Sequence, residues 1–356
     1  MSIATQPIAP AVARGADPVS AQAIQATPRL HRLPLVTLYL TERCNSRCIT
    51  CDYWRTGRSD VSLESVRQLL PGLRRLQTRL VLISGGEPLV HPEWVEIAQL
   101  LRAQGLQLWL LSSGLSLTKH APRATQLFNS ITVSLDGTDR ETYAAIRGLD
   151  AFDNVCAGIQ ACADRGAPVG LRVTVQRSNY QQLPRFVSLA RRLGARQISF
   201  LAVDVANPHA FGRSDDFTRN LALRPEDLGV LEQLLRGMEQ DCAAEFRSGF
   251  IAESPRKLRH LHQYFAAVCG LGGYPPVRCN APEFSAVIGV KGEIQPCFFI
   301  SGPDGARVVD DIEGILNSDS MVDLRRSIRA GERDECTRCV CSMYRDLAGF
   351  EDVQLR

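Results

Sequence analysis

From Leu33 onward the chain alternates short apolar runs with stretches in which apolar residues recur every three or four positions. The first pattern suits a buried strand and the second an amphipathic helix packed on one face. Strands are predicted at Leu35–Leu40, Leu80–Ile83, Leu106–Leu111, Ile131–Leu135, Leu171–Gln176 and Gln197–Leu201. Helices fall between them at Leu63–Leu76, Pro92–Ala103, 118–128, 152–165 and 183–193. Six β/α units fit residues 33–204, and such a run predicts a parallel sheet whose crossovers cover its outer face. The expected fold class is α/β, a partial (β/α)6 TIM-like barrel with its chemistry just after the C-terminal ends of the strands.

The flanks read differently. Residues 1–32 are rich in Ala, Pro and Gln without an apolar period, and are expected to form a disordered tail. Beyond Asp204 the period breaks, and 205–277 reads as a connecting helical region, clearest at Leu228–Met238 and Leu258–Ala267. Residues 278–356 suggest a small cysteine-rich α+β extension. It contains a hairpin from Glu283–Val290 through Gly292 to Glu293–Ile300, a helix at Met321–Ile328 and a final cysteine cluster.

Composition narrows the partners. A chain of 356 residues that is 45% hydrophobic can bury a large core. The net charge of +3 is too small to make nucleic acid or a membrane surface the expected partner. No apolar run reaches the ~18 residues of a spanning helix, and no charged segment leads into an apolar one as in a secretory signal. The twelve cysteines therefore read as reduced thiols of a cytoplasmic protein, available to metal.

Cys44, Cys48 and Cys51 follow the first strand in a C-x3-C-x2-C spacing. Three thiolates so close hold three irons of a cubane and leave the fourth iron open, while a zinc site or unrelated core cysteines are the plainer readings. The second strand ends in Ser84-Gly85-Gly86-Glu87-Pro88, where two glycines permit close backbone approach and Glu87 or nearby carbonyls suit a cationic amine. A tight β/α turn is the plainer reading of that segment.

The two motifs, one β/α unit apart, resemble those of the radical S-adenosylmethionine superfamily over residues 33–204. The resemblance implies a 4Fe-4S cluster on Cys44, Cys48 and Cys51 that cleaves S-adenosylmethionine to a 5′-deoxyadenosyl radical, and a flavodoxin- or ferredoxin-type electron donor. It implies that Gly85, Gly86 and Glu87 bind the methionine amino group, that Ser112 lies in a third turn at the cofactor, that Ser134 meets its carboxylate or ribose, and that Arg172 pairs with the carboxylate, a structural ion pair being the equal alternative for Arg172. Asp136 reads equally as a turn residue, and Arg147-Gly148 matches a recurrent family pattern to which no role is assigned. Where the superfamily often has an aromatic before the third cysteine, this chain has Thr50, with Tyr53 and Trp54 just beyond.

A second constellation comprises Cys279, Cys297 after seventeen further residues, and Cys336, Cys339 and Cys341. With Gly292 and Pro296 it resembles the SPASM or truncated twitch extension of radical enzymes. The resemblance implies one auxiliary 4Fe-4S cluster on Cys279, Cys297, Cys336 and Cys339, with Cys341 or Cys269 as substitutes; structural zinc would use the same thiolates. Cys156, Cys162 and Cys242 read as ordinary buried small residues.

Asp204 and His209, after the sixth strand, are the candidate catalytic groups, with Asp215 and Asp216 nearby. The resulting expectation is an oxidoreductase taking hydrogen from a small-molecule substrate such as a sugar, an aminocyclitol or another natural product, with the auxiliary cluster accepting an electron. The short tail is too small for a leader-recognition domain, which tilts the reading away from the alternative, a maturase of ribosomally made peptides. A non-catalytic iron-sulfur or zinc protein is the alternative of another class.

Overall fold

The computed structural model describes residues 29–205, 207, 220–303 and 311–345. Eight strands form one sheet: β1 (Leu35–Thr41), β2 (Leu80–Gly85), β3 (Gln107–Ser112), β4 (Ser130–Ser134), β5 (Val169–Val175), β6 (Gln197–Ala202), β7 (Ser285–Ile288) and β8 (Ile294–Gln295). Their spatial order is β6-β5-β4-β3-β2-β1-β7-β8. The first six run parallel in sequence order, as a succession of β/α crossovers requires. This is the partial TIM-like α/β fold that the apolar pattern predicts.

Alternation sorts the two faces. Ile131, Val133, Leu171, Val173 and Val175 are fully buried on one face, while Ser134, Arg172 and Thr174 between them stay half-open on the other. The helices form a continuous layer: Leu63–Arg75 packs on Trp94–Ala103, that on Leu117–Leu127, and that on Phe152–Ala163. Each fully buried aliphatic side chain under this layer contributes roughly 1.5–3 kcal/mol of transfer free energy. The uncovered face leaves space at the strand ends for chemistry.

Both edges of the six-stranded sheet are covered, and neither cover is visible in local pattern. On the β1 side, β7 pairs in parallel from Leu35↔Ser285 to Leu38↔Ile288, and β8 returns antiparallel. The expected hairpin is there, but it extends the main sheet rather than standing as a separate module, because β1 would otherwise expose a row of unpaired backbone groups. On the β6 side, Ile198 exchanges backbone hydrogen bonds with Phe250 and Ala252, and Glu253 accepts from the Phe200 N–H at 3.0 Å. The connecting region contains helices Pro225–Asp241 and Pro255–Val268, which pack on each other.

Three further differences stand out. Leu30 is buried and exchanges hydrogen bonds with the Asn317 side chain at 2.6 and 2.9 Å, so ordered packing reaches back into the segment read as tail. A helix at Arg140–Arg147 escaped prediction, although Asp139 caps it by accepting from the Thr142 N–H and Gly148 ends it at φ 72°. Among the described residues no helix is long and apolar enough to cross a membrane.

Candidate functional site

The cysteine loop leaves β1 at Thr41 and is held from several sides. Gly85 adopts φ 119°, and a Cβ there would lie 2.5 Å from the Thr41 carbonyl oxygen; at Gly86 it would lie 2.2 Å from that of Arg43. Only glycine lets the turn after β2 approach so closely. The approach is used for hydrogen bonds, Gly86 N–H to Thr41 O at 2.7 Å and Glu87 N–H to Arg43 O at 2.9 Å. These two N–H groups therefore face the cysteine loop rather than a cofactor.

Glu87 also differs from expectation. It is completely buried, and its carboxylate accepts from the Ser112 hydroxyl at 3.0 and 3.1 Å, the Ser113 N–H at 2.5 Å and the Leu89 N–H at 3.1 Å. Burial pushes its carboxyl above the ordinary range, against the pull of these donors. Ser112 in turn accepts from the Gly114 N–H at 2.9 Å. Glu87 and Ser112 thus pin the turns after β2 and β3 to each other, and both side chains are buried. The third turn also grips the cysteine loop, with the Ser113 hydroxyl donating to Asn45 Oδ1 and Asn45 Nδ2 donating to the Ser116 hydroxyl, both at 3.1 Å.

Helix Arg140–Arg147 supplies the remaining hold. The Arg47 N–H donates to Arg147 O at 3.0 Å and the Ile49 N–H to Ile146 O at 2.9 Å. A Cβ on Gly148 would lie 2.4 Å from Arg47 O. The Arg147 guanidinium reaches inward, with Nη1 donating to Cys48 Sγ at 3.4 Å and Nη2 paired with Asp136 at 2.9 Å. Asp136 accepts from the Thr174 N–H at 2.7 Å as well. Ser46 lies 3.1 Å from Cys48 Sγ through its hydroxyl, and its N–H donates to Cys44 Sγ at 3.4 Å. Asp136 is therefore neither a plain turn residue nor open to a substrate, and Arg147-Gly148, left without a role in the sequence, is central to the loop.

The thiols suit metal ligation. All twelve cysteines are free, and burial raises the Cys44 thiol from its ordinary 9.0 to about 12, so it ionises when a cation compensates the charge. Among the described residues no three His, Cys, Asp or Glu side chains draw together tightly enough for a single metal ion. On the open face of the sheet, Ser134 and Arg172 are register partners on β4 and β5. Arg172 Nε is buried without a hydrogen-bond partner, which fits a carboxylate ligand. A pocket of about 600 Å³ beside Cys44 is lined by Asn45, Arg47, Trp54, Arg55 and Arg58.

The C-terminal cysteines also gather. Cys297 senses the charges of Cys336 and Cys279, and Cys339 those of Cys341, Cys279 and Cys297. Burial raises Cys297 to about 12 and Cys336 to about 11. Cys341 gives its N–H to Cys339 Sγ at 3.4 Å. Cys269 lies apart, donating to Leu223 O at 3.3 Å. Asn280 clasps the chain end, its side chain exchanging bonds with the Arg345 backbone at 2.7 and 2.9 Å. Tyr39 on β1 is in edge contact with Tyr53 at 6.2 Å, and burial holds its hydroxyl well above the ordinary range, with the charges of Tyr53, Cys51 and Cys297 adding to the effect.

Asp204 is buried and closes a local turn, accepting from the Asn207 N–H at 3.2 Å and side-chain amide at 3.0 Å. His209, Asp215 and Asp216 lie outside the described residues.

The model of the radical SAM superfamily matches residues 38–190. Fe-coproporphyrin III synthase of Methanosarcina barkeri is 27% identical over 218 residues, 60% of this chain and 54% of that protein. Mycofactocin maturase MftC of Mycobacterium tuberculosis is 34% identical over 168 residues, 45% of this chain and 42% of that protein. The chain thus spans about half the length of these relatives. Among solved structures, Streptococcus suis SuiB bound to S-adenosylmethionine shares the fold with TM-score 0.64 at 13% identity, covering 89% of this chain and 74% of that one. SuiB bound to precursor peptide SuiA superposes equally well, with TM-score 0.64. With the motif loops, the open parallel sheet and the family model in agreement, residues 38–190 are a radical SAM superfamily domain.

Proposed function

We propose that this chain is a radical SAM oxidoreductase in which Cys44, Cys48 and Cys51 hold the cofactor-cleaving 4Fe-4S cluster and Cys279, Cys297, Cys336 and Cys339 hold one auxiliary cluster. The chemistry that such a centre supplies when bound is one-electron reductive cleavage of S-adenosylmethionine, giving methionine and a 5′-deoxyadenosyl radical that takes hydrogen from the substrate. The observation that carries this reading is the cysteine loop itself, fixed at the C-terminal end of β1 by Gly85, Gly86, Asn45 and Arg147.

The protein's own residues divide the work. Carbonyls of the Gly85-Gly86 turn orient the methionine amine, and Arg172, with Ser134 beside it, takes the carboxylate. Glu87 and Ser112 act indirectly by holding the turns in place. The exposed Arg47, Arg55 and Arg58 beside Cys44 suit an acidic electron donor of flavodoxin or ferredoxin type.

For the substrate we favour a small molecule, and similarity to a porphyrin-named synthase is consistent with it. The second reading, a peptide maturase, is favoured by the higher identity to MftC and the likeness in fold to SuiB. Reconstituted anaerobically and supplied with dithionite and S-adenosylmethionine, the protein is expected to release 5′-deoxyadenosine. Stimulation by the low-molecular-weight fraction of a host extract supports the first substrate class, and stimulation only by its peptide fraction the second. An intact cluster that yields no 5′-deoxyadenosine above free-cluster background contradicts both.

A further inference from the structure

Cys48 is the buried thiol of the first set, and its sulfur has company that loop architecture alone does not demand. Arg147 Nη1 points at it from 3.4 Å, and the Ser46 hydroxyl lies 3.1 Å away. The guanidinium is 9% exposed and its partner carboxylate 2%. Arg147 could hold the loop through its carbonyl alone, which already accepts from the Arg47 N–H and the Ser46 hydroxyl. Its charge is placed separately, at a sulfur.

We infer that Arg147 is a positioning residue that sets the reduction potential of the cluster held by Cys44, Cys48 and Cys51, and that Asp136 moderates it. The inference rests on the metal reading of that loop given above. Reduction adds one electron and no proton, so the site becomes more negative by one charge. A permanent cation donating to a ligand sulfur stabilises the reduced form more than the oxidised form and raises the potential. A carboxylate behind that cation opposes the gain, and in a buried setting both contributions are only weakly screened. Asp136 is anchored by the Thr174 N–H, so it keeps the guanidinium aimed at the sulfur while withdrawing part of its field.

The two partners therefore have opposite signs, which a merely structural role does not produce. Arg147→Met is expected to lower the midpoint potential of the first cluster, and Asp136→Asn, which keeps the shape and removes the charge, to raise it. The double variant should lie between them. The test is a potentiometric titration of the reconstituted full chain followed by electron paramagnetic resonance, the first cluster being identified by its spectral change on adding S-adenosylmethionine. Iron content is measured in parallel. If Arg147→Met binds no iron, Arg147→Lys takes its place, since it draws the charge back from the sulfur and has the same expected sign.

A lowered potential in Arg147→Met and a raised one in Asp136→Asn, at wild-type iron content, support the inference. Shifts of the same sign, the reverse pair of signs, or potentials that do not move overturn it and leave the reading of the cysteine loop intact. A wild-type protein with no cluster responsive to S-adenosylmethionine overturns that reading and the inference together.

Discussion

The two cysteine sets are built on opposite plans. Cys44, Cys48 and Cys51 share one short loop, and the turns after β2 and β3 and the end of helix Arg140–Arg147 all hydrogen-bond to it. Cys279, Cys297, Cys336 and Cys339 come from separate places, before β7, after β8 and in and beside the short helix Asp334–Thr337. There the local ties run from the Asn280 backbone and side chain to Met343 and Arg345, from the Cys341 N–H to Cys339, and through the bridge of Cys297 to Ile300. The first set is held by protein hydrogen bonds from three neighbouring segments; on the proposed reading, the second set would rely more on bound metal for its cohesion, as small cysteine-rich sites generally do.

Metal removal should separate the two most clearly. In the chelated protein, amide exchange across Cys336–Arg345 is expected to rise tenfold or more, equivalent to about 1.4 kcal/mol of lost protection. The Arg47 and Ile49 amides, bonded to Arg147 and Ile146, should keep most of theirs. Equal loss in both regions would break the contrast. Gly86→Ala should have the next largest effect, because its methyl must displace the Arg43 carbonyl 2.2 Å away. A destabilisation of about 1–3 kcal/mol is expected from such overpacking, measured by denaturant titration, with iron lost first from the loop of Cys44.

Asn280→Ala sharpens the other side. Removing the clasp on Arg345 is expected to cost about 1–2 kcal/mol and to weaken iron retention at the second set while leaving the first unchanged, as iron counted per variant will show. The last effect concerns protons and shows only at alkaline pH. Burial raises Cys44 and Cys297 from an ordinary 9.0 to about 12, so between those values the folded metal-free chain holds protons that the unfolded chain has released. Stability from this source is fully present below pH 9 and is lost as pH rises through 12. Thermal unfolding of the apoprotein should therefore move to lower temperature across that window, while metal uptake, which displaces the protons, strengthens with rising pH.

Legibility in the sequence followed the range of the interactions concerned. Apolar runs such as Ile131–Leu135 revealed strands because burial under the helix layer demands them, and the spacing of Cys44, Cys48 and Cys51 revealed the loop because its ligands are local. The pairing of β7 with β1 was hidden, since nothing in Ser-Ala-Val-Ile names its neighbour. The inward turn of Glu87 was equally hidden, because it depends on Ser112 and Ser113, twenty-five and twenty-six residues away. Arg147 went unassigned for the same reason, being ninety-nine residues from the sulfur it touches. A signal for its helix was present in Asp139 and Gly148, whose capping roles frame a stretch with two apolar anchors, Tyr143 and Ile146.

The central claim is that the preorganised loop performs the cleavage and the second set only assists. Its most direct test is 5′-deoxyadenosine released from S-adenosylmethionine under dithionite by two reconstituted variants, Cys48→Ala and the pair Cys336→Ala with Cys339→Ala. Product should vanish in the first and persist in the second. Product retained without Cys48, with none formed when Cys336 and Cys339 are absent, would contradict the assignment.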